Sequence, residues 1–416
     1  MRTARLPRLH TLDAWLAYQD FRYLWFGNFF ANNAQWLQLL SVGWLVRELS
    51  EGSNVAGLLV VTVGGINTLP GLVVGPWGGV LSDRFDRRKL VMVLQTAMAV
   101  LAFAFALLIL SGRVQVWHAY AYVILAGCCH SAVQPMRQAL IAGTVPREML
   151  GNALATNVLT ITGTRIFGPF VGGILIFTLG FFWNFTIEAV LYLANVTMIL
   201  RVRTPFDTPG NARQRGSAMS NMIEGLRYVW SGERAFFQLM MVSMIPNIIL
   251  HPAWFLFPLY TTEVLKRDAD VGGYLLSITG VGGLLAALFI ASFGFVFPKG
   301  KVVLGAAVGS SVTLLVFAFA KWMAVAFVFI AAMAFSQSVF RTARGTLIQT
   351  LTPDSLRGRM TSLQSFDRGF LVVASLGVGV LSDLTSSATA LAIIAAIGLG
   401  ASLVCWTLLR RVRVLA

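Results

Sequence analysis

Apolar stretches of about 20 residues, the length that crosses the hydrocarbon core of a bilayer as a helix, recur from one end of this 416-residue chain to the other. Inside that core no water is available to backbone amides, so each segment must satisfy its own hydrogen bonds. Only 12% of the residues are charged against 57% hydrophobic, about half the charged share of a soluble protein. Spans fit at 24–46, 55–77, 90–111, 118–141, 153–176, 182–202, 235–258, 273–297, 302–320, 323–347, 360–383 and 388–409. The loops between them are short and leave no room for a separate soluble domain. The sequence therefore predicts an all-α membrane protein of twelve transmembrane helices.

An even number of spans puts both termini on one side. With this division 25 of the 32 Lys and Arg residues lie on the terminus side and 5 on the other. Positive residues stay in the cytoplasm, so both termini are expected there, in a multi-pass protein of the inner or plasma membrane. The net charge of +15 is then a topology signal facing anionic lipid and needs no nucleic-acid partner. No apolar run with a small-residue cleavage site follows the first arginines, so the N-terminus reads as a short interfacial helix carrying Trp15, Tyr18 and Trp25. Cys128, Cys129 and Cys405 sit in apolar segments, with neither a disulfide framework nor a metal spacing. P-loop, H-E-x-x-H and G-x-S-x-G patterns are absent, which argues against an enzyme or an ATP-driven pump. No cofactor is expected.

A long, basic, turn-rich stretch divides the chain into residues 1–202, a linker at 203–234, and residues 235–416. A shift of 207 residues lays Arg137 on Arg344, Leu140 on Leu347, Ile141 on Ile348, Pro146 on Pro353 and Gly151 on Gly358. This is the mark of a parallel repeat of two six-helix halves. One chain that already holds both halves predicts a monomer.

"GVLSD" occurs at Gly79–Asp83 and again at Gly379–Asp383. After the first copy six of the seven residues at 83–89 are charged. A carboxylate at the C-terminal end of its own helix is poorly placed for that helix dipole, so Asp83 suits the N-terminus of another helix or an arginine. Arg84, Arg87 and Arg88 can bind lipid phosphates or partner carboxylates, and the loop could latch two halves on the cytoplasmic side. A plain positive-inside loop is the other reading. The second copy, offset by 300 and on the opposite face, reads as coincidence.

Span five carries "GTRIFGPFVGG" at 163–173. Gly163, Gly168, Gly172 and Gly173 form a small-residue motif around Pro169, which bends the helix. It is expected to pack on the glycine-rich span eight. Arg165 lies near the bilayer midplane, where a charge is costly and usually functional. It should face a central cavity or a buried carboxylate. Glu188 in span six, and Asp367 beside Arg368 in span eleven, are the available acids. Either could exchange protons or sit in a static ion pair. In span one Asn28, Asn32 and Gln35 share a helical stripe, expected to line the cavity with aromatic surface from Trp36; hydrogen bonding between helices is the alternative. Pro246, Pro252 and Pro258 suggest that span seven is bent and gating.

Gly79, Leu81, Asp83, Arg84, Arg87 and Arg88 resemble the signature loop between helices two and three of the major facilitator superfamily. The resemblance implies that the loop helps lock an outward-open state, its aspartate facing the N-terminal end of helix eleven. Asp86 departs from the general pattern, which has glycine there. "DRFDRR" is nevertheless similar to the enterobactin-exporter and macrolide-efflux branch, as are "QPMRQALIAGTVPREMLGNALATN" (134–157), "EGLRYV" (224–229) and "LTPDSLRGRM" (351–360). The likeness covers nearly the whole chain. It implies two pseudo-symmetric six-helix halves, alternating access, and proton-coupled export of a drug-like, macrolide-like or siderophore-like small molecule. A lysophospholipid transporter, or a sensor or scaffold that keeps the carrier fold without transport, are the alternatives.

Overall fold

The computed structural model describes residues 12–74, 85–206, 234–295, 297–351 and 367–415; the side chains of 234–236 and 367–369 fall outside that description. Regular structure among the described residues is all helical. A short helix α1 (Asp13–Ala17) precedes α2 (Gln19–Leu49), which is span one. Span two is α3 (Ala56–Ile66) continued by α4 (Leu69–Val73). Spans three and four are α5 (Arg87–Leu110) and α6 (Val116–Thr144).

Helix α7 (Leu150–Ile199) holds spans five and six. At Gly180 φ is +81°, a conformation that a side chain opposes. Asn184 Nδ2 donates to the carbonyl of Gly172 at 3.1 Å. Twelve residues of straight helix would separate these groups by about 18 Å, so the chain turns back at Gly180. Span seven is broken into α8 (Arg234–Met244), a π turn at Ile245–Ile249, a 3-10 turn at His251–Leu256, and α9 (Phe257–Glu263). Pro246, Pro252 and Pro258 each remove an amide donor, which explains the departures from α geometry. Helices α10 (Ala269–Phe293), α11 (Lys299–Ala318), α12 (Met323–Leu351), α13 (Asp367–Leu384), α14 (Ser387–Leu408) and α15 (Arg410–Val414) complete the chain.

Nine described segments are long and apolar enough to cross a membrane. One of them, Arg147–Ile199, contains the turn at Gly180 and crosses twice. Adding α2, whose amides lower its hydropathy, and the shorter apolar Phe370–Leu384 is consistent with twelve traverses. The residues paired by the 207 shift are buried alike: Arg137 with Arg344, Leu140 with Leu347, and Ile141 with Ile348.

The packing is unequal at the two ends. Near the termini, Phe21, Val91, Met136 and Ile199 form a core within the first half. Among the described residues, Leu239, Val303, Leu347 and Val412 form a core of their own within the second. Away from the termini, one continuous core joins both halves, running from Leu45, Val61 and Phe185 to Leu256, Leu275 and Leu391.

Candidate functional site

Among the described residues the halves pack most closely along two seams. Along the first, α7 meets α10. A Cβ built on Gly173 would lie 2.8 Å from the carbonyl oxygen of Ala269 and 2.9 Å from Gly273 Cα. The backbones touch there because neither residue has a side chain. Ser277 Oγ donates to the Ile166 carbonyl at 2.8 Å. The other glycines of the motif have different partners: Gly168 abuts Trp36 and Gly172 abuts Leu40, both on α2, while a Cβ on Gly163 would meet nothing within 4 Å. The groove therefore serves span one as well as span eight.

Along the second seam α3 crosses α13. Asp383, the aspartate of the second GVLSD, accepts hydrogen bonds from the amide of Gly57 at 2.5 Å and of Leu58 at 2.9 Å. These are orphan donors at the start of α3, and the carboxylate also meets the positive end of that helix dipole. A Cβ on Gly57 would lie 2.9 Å from Ser382 Cβ, and one on Gly379 would lie 2.7 Å from Leu58 Cα. The reading of the second copy as coincidence is thus corrected: its aspartate is bonded across the halves. In the first copy Gly79, Asp83 and Arg84 lie outside the described residues. Beyond them Asp86, the departure from the superfamily pattern, caps α5 by accepting from the amides of Arg88 at 2.9 Å and Lys89 at 3.3 Å. Arg88 donates to the carbonyls of Ile199 and Leu200, a cation at a helix C-terminus. Arg87 follows Asp86 as the first residue of α5.

Between the seams lies a mainly apolar cavity of about 120 Å³, walled by Trp36 and Gln38 of α2, Gly64 of α3, and His251, Trp254 and Phe255 of the broken span seven. The Arg165 guanidinium stands over the Trp254 ring at 4.7 Å from its centroid and 5.9 Å from that of Trp36. It is held by one indole from each half. The Arg165 Nε is buried without a hydrogen-bond partner. Of the two acids available to Arg165, Glu188 does not meet it. Glu188 is enclosed in the first half, where it accepts from the Tyr122 hydroxyl at 2.5 Å. Tyr122 in turn stacks on Phe105 at 4.6 Å. The side chains of Asp367 and Arg368 lie outside the described residues.

The polar stripe of span one is turned away from this cavity. Arg137 Nε donates to Asn28 Oδ1 at 2.7 Å, and its Nη2 donates to Asn32 Oδ1 at 2.9 Å and to the Asn28 carbonyl at 3.2 Å. Gln35 Nε2 pairs with His130 Nε2 at 2.8 Å. Only Trp36 of the four span-one candidates walls the cavity. The reason is that Arg137 is buried in α6 and needs acceptors. The amides facing it are neutral, so the charge is solvated without being cancelled. Replacing Arg137 by methionine should lower the melting temperature in detergent. Two buried asparagine oxygens would then lose their donors, at about 1–3 kcal/mol each. Arg137→Lys should recover part of the loss.

The transmembrane secretion effector family model matches residues 11–415. A Na(+), Li(+), K(+)/H(+) antiporter of Planococcus maritimus is 23% identical over 363 residues, covering 80% of this chain and 82% of the relative. An enterobactin exporter of Shigella flexneri is 22% identical, covering 88% and 87%. The multidrug efflux pump Tap of Mycolicibacterium fortuitum is 25% identical, covering 83% of each. Among solved structures, the nucleoside transporter NupG superposes with a TM-score of 0.72 at 11% identity, over 94% of this chain and 99% of that one. A D-xylose-proton symporter does so with 0.68 at 14%, over 93% and 96%. The chain belongs to the transmembrane secretion effector family of the major facilitator superfamily, and is a membrane transporter rather than an enzyme.

Proposed function

We propose that the protein is a secondary-active exporter of the inner or plasma membrane, moving a small molecule out of the cytoplasm by alternating access. The carrying observation is that, among the described residues, the cores near the termini are separate while a single core joins the halves at the other end. If both termini are cytoplasmic, as the Lys and Arg asymmetry argues, this state is closed to the outside. The halves at 1–202 and 235–416 would rock about the central cavity, tied by the linker at 203–234. Gly79, Asp83, Arg84, Arg87 and Arg88 would latch the opposite state and contact anionic lipid at the cytoplasmic face. Substrates in the drug-like, macrolide-like or siderophore-like range agree with the relatives named as exporters. Energy would come from inward proton movement. Asp367 beside Arg368 is the favoured coupling acid, because Glu188 is bonded to Tyr122 and does not reach the cavity. One chain is the working unit.

The test is uptake into everted membrane vesicles with an acid interior, using radiolabelled ethidium, erythromycin and salicylate in parallel. Accumulation of at least one probe, abolished by an uncoupler and by Asp367→Asn, is the expected result. No accumulation of any probe by well-expressed protein would count against the reading, and uncoupler-resistant accumulation would remove the proton.

A further inference from the structure

We propose that the cavity between Trp36 and Trp254 is an anion site, which takes one aromatic ring carrying a carboxylate or a comparable oxygen anion. This deepens the exporter reading above and rests on it for the word substrate.

The case begins with the hydrogen-bonding inventory. Gln38 and Trp254 wall the cavity, and the Gln38 Nε2 and Trp254 Nε1 atoms are buried with no partner. The Arg165 Nε, on the same two indoles, is buried and unpartnered too. All three are donors. An orphan buried donor is expensive unless something supplies an acceptor. Two of them belong to residues that wall the cavity and the third stands behind, against two of its indoles; together they call for a ligand with acceptor oxygens.

Charge points the same way. Among the described residues Arg165 has no carboxylate partner, and no Asp or Glu walls the cavity. A half-buried cation inside a membrane span, resting among the described residues on two indole faces, is suited to serve as counter-ion to an anion. A cationic group here would face the Arg165 charge with no described acid on the cavity wall to offset it.

Shape supplies the ring. A dry cavity of about 150 Å³ binds benzene; this one, at about 120 Å³, is smaller and holds one ring at most, with the anionic group at its edge. Trp36, Trp254 and Phe255 offer flat faces for stacking. His251 lies along the wall and stacks on Trp254 at 5.3 Å. The site therefore fits one planar group of a substrate whose remainder extends elsewhere between the halves.

The experiment is equilibrium binding to the purified full-length protein in detergent, read by calorimetry and independent of transport. Salicylate is the anionic probe and benzylammonium is its cationic counterpart of similar size. Salicylate should bind saturably and at least about tenfold more tightly than benzylammonium. Arg165→Gln should weaken salicylate about tenfold or more, and Arg165→Lys should retain part of the affinity. Trp254→Phe keeps the ring but removes the donor, and should weaken binding by about three- to tenfold. Thermal melting of each variant checks folding. If Arg165→Gln does not fold, Trp254→Phe and Gln38→Leu carry the test. Equal binding of the two probes, unchanged affinity in the folded variants, or no saturable binding up to about 10 mM salicylate would each overturn the proposal. Transport without anion binding would leave the exporter reading standing and remove this one. Anion binding without transport would do the reverse.

Discussion

Replacing Gly173 by leucine should reduce transport at least about tenfold while leaving both halves folded. Even a methyl group at this position would sit 2.8 Å from the Ala269 carbonyl oxygen, 2.9 Å from Gly273 Cα and 3.1 Å from the Asp270 carbonyl oxygen. All of these are backbone atoms of α10, which cannot rotate aside. Inserting a methylene group into a packed contact costs about 1–3 kcal/mol, and leucine adds several. Because the clash lies between halves, its cost falls on the state in which α7 and α10 touch. A two-state cycle deprived of one state by that amount stalls. Gly163→Leu is the control, since a Cβ there meets nothing within 4 Å. The pair separates loss of closure from loss of flexibility in the same helix. Vesicle uptake of the best probe, normalised to protein in the membrane, is the readout. Equal activity of the two variants would mean that the seam is not used in the cycle.

The helices were legible because a bilayer imposes one length and one polarity on every span. The interruption of span seven was legible because Pro246, Pro252 and Pro258 lack amide donors whatever surrounds them. The turn at Gly180 fell in the gap left between spans five and six. The direction in which polar side chains point was less legible. Asn28 and Asn32 must avoid lipid, but a cavity and a buried cation both satisfy that requirement. The choice was made by Arg137, more than a hundred residues further along the chain. The repeat held the signal: Arg137 and Arg344 are equivalent under the 207 shift, and a cation kept at the same place in both halves has more to do than mark a loop. Arg165 has indoles for partners, and no spacing rule links it to Trp254 in the other half. The role of the second GVLSD was not legible, because the 207 shift does not relate it to the first copy. Its aspartate, at the end of α13, caps the start of α3, and such a role emerges only when helices cross.

Removing the Asp383 carboxylate should loosen the end of the molecule away from the termini. The bonds to Gly57 and Leu58 at 2.5 and 2.9 Å span residues more than three hundred positions apart, so they exist only while the halves are together there. A neutral helix cap is worth about 0.5–2 kcal/mol, and hydrogen bonds to a charged group about 1.5–3 kcal/mol. Asp383→Leu, which offers no acceptor, should therefore shift the balance between closed and open states by roughly tenfold or more. Asp383→Asn keeps one oxygen and should shift it less. The measurement is the rate at which an impermeant maleimide labels a single cysteine at position 67, in a background where Cys128, Cys129 and Cys405 are replaced. Asn67 walls the cavity, so reagent added at the joined face reaches it only when that face opens. Faster labelling in the order Leu, Asn, Asp is expected. Identical rates would mean that the carboxylate caps α3 without holding the halves, because a cap that bears on closure must slow the entry of anything arriving from that side.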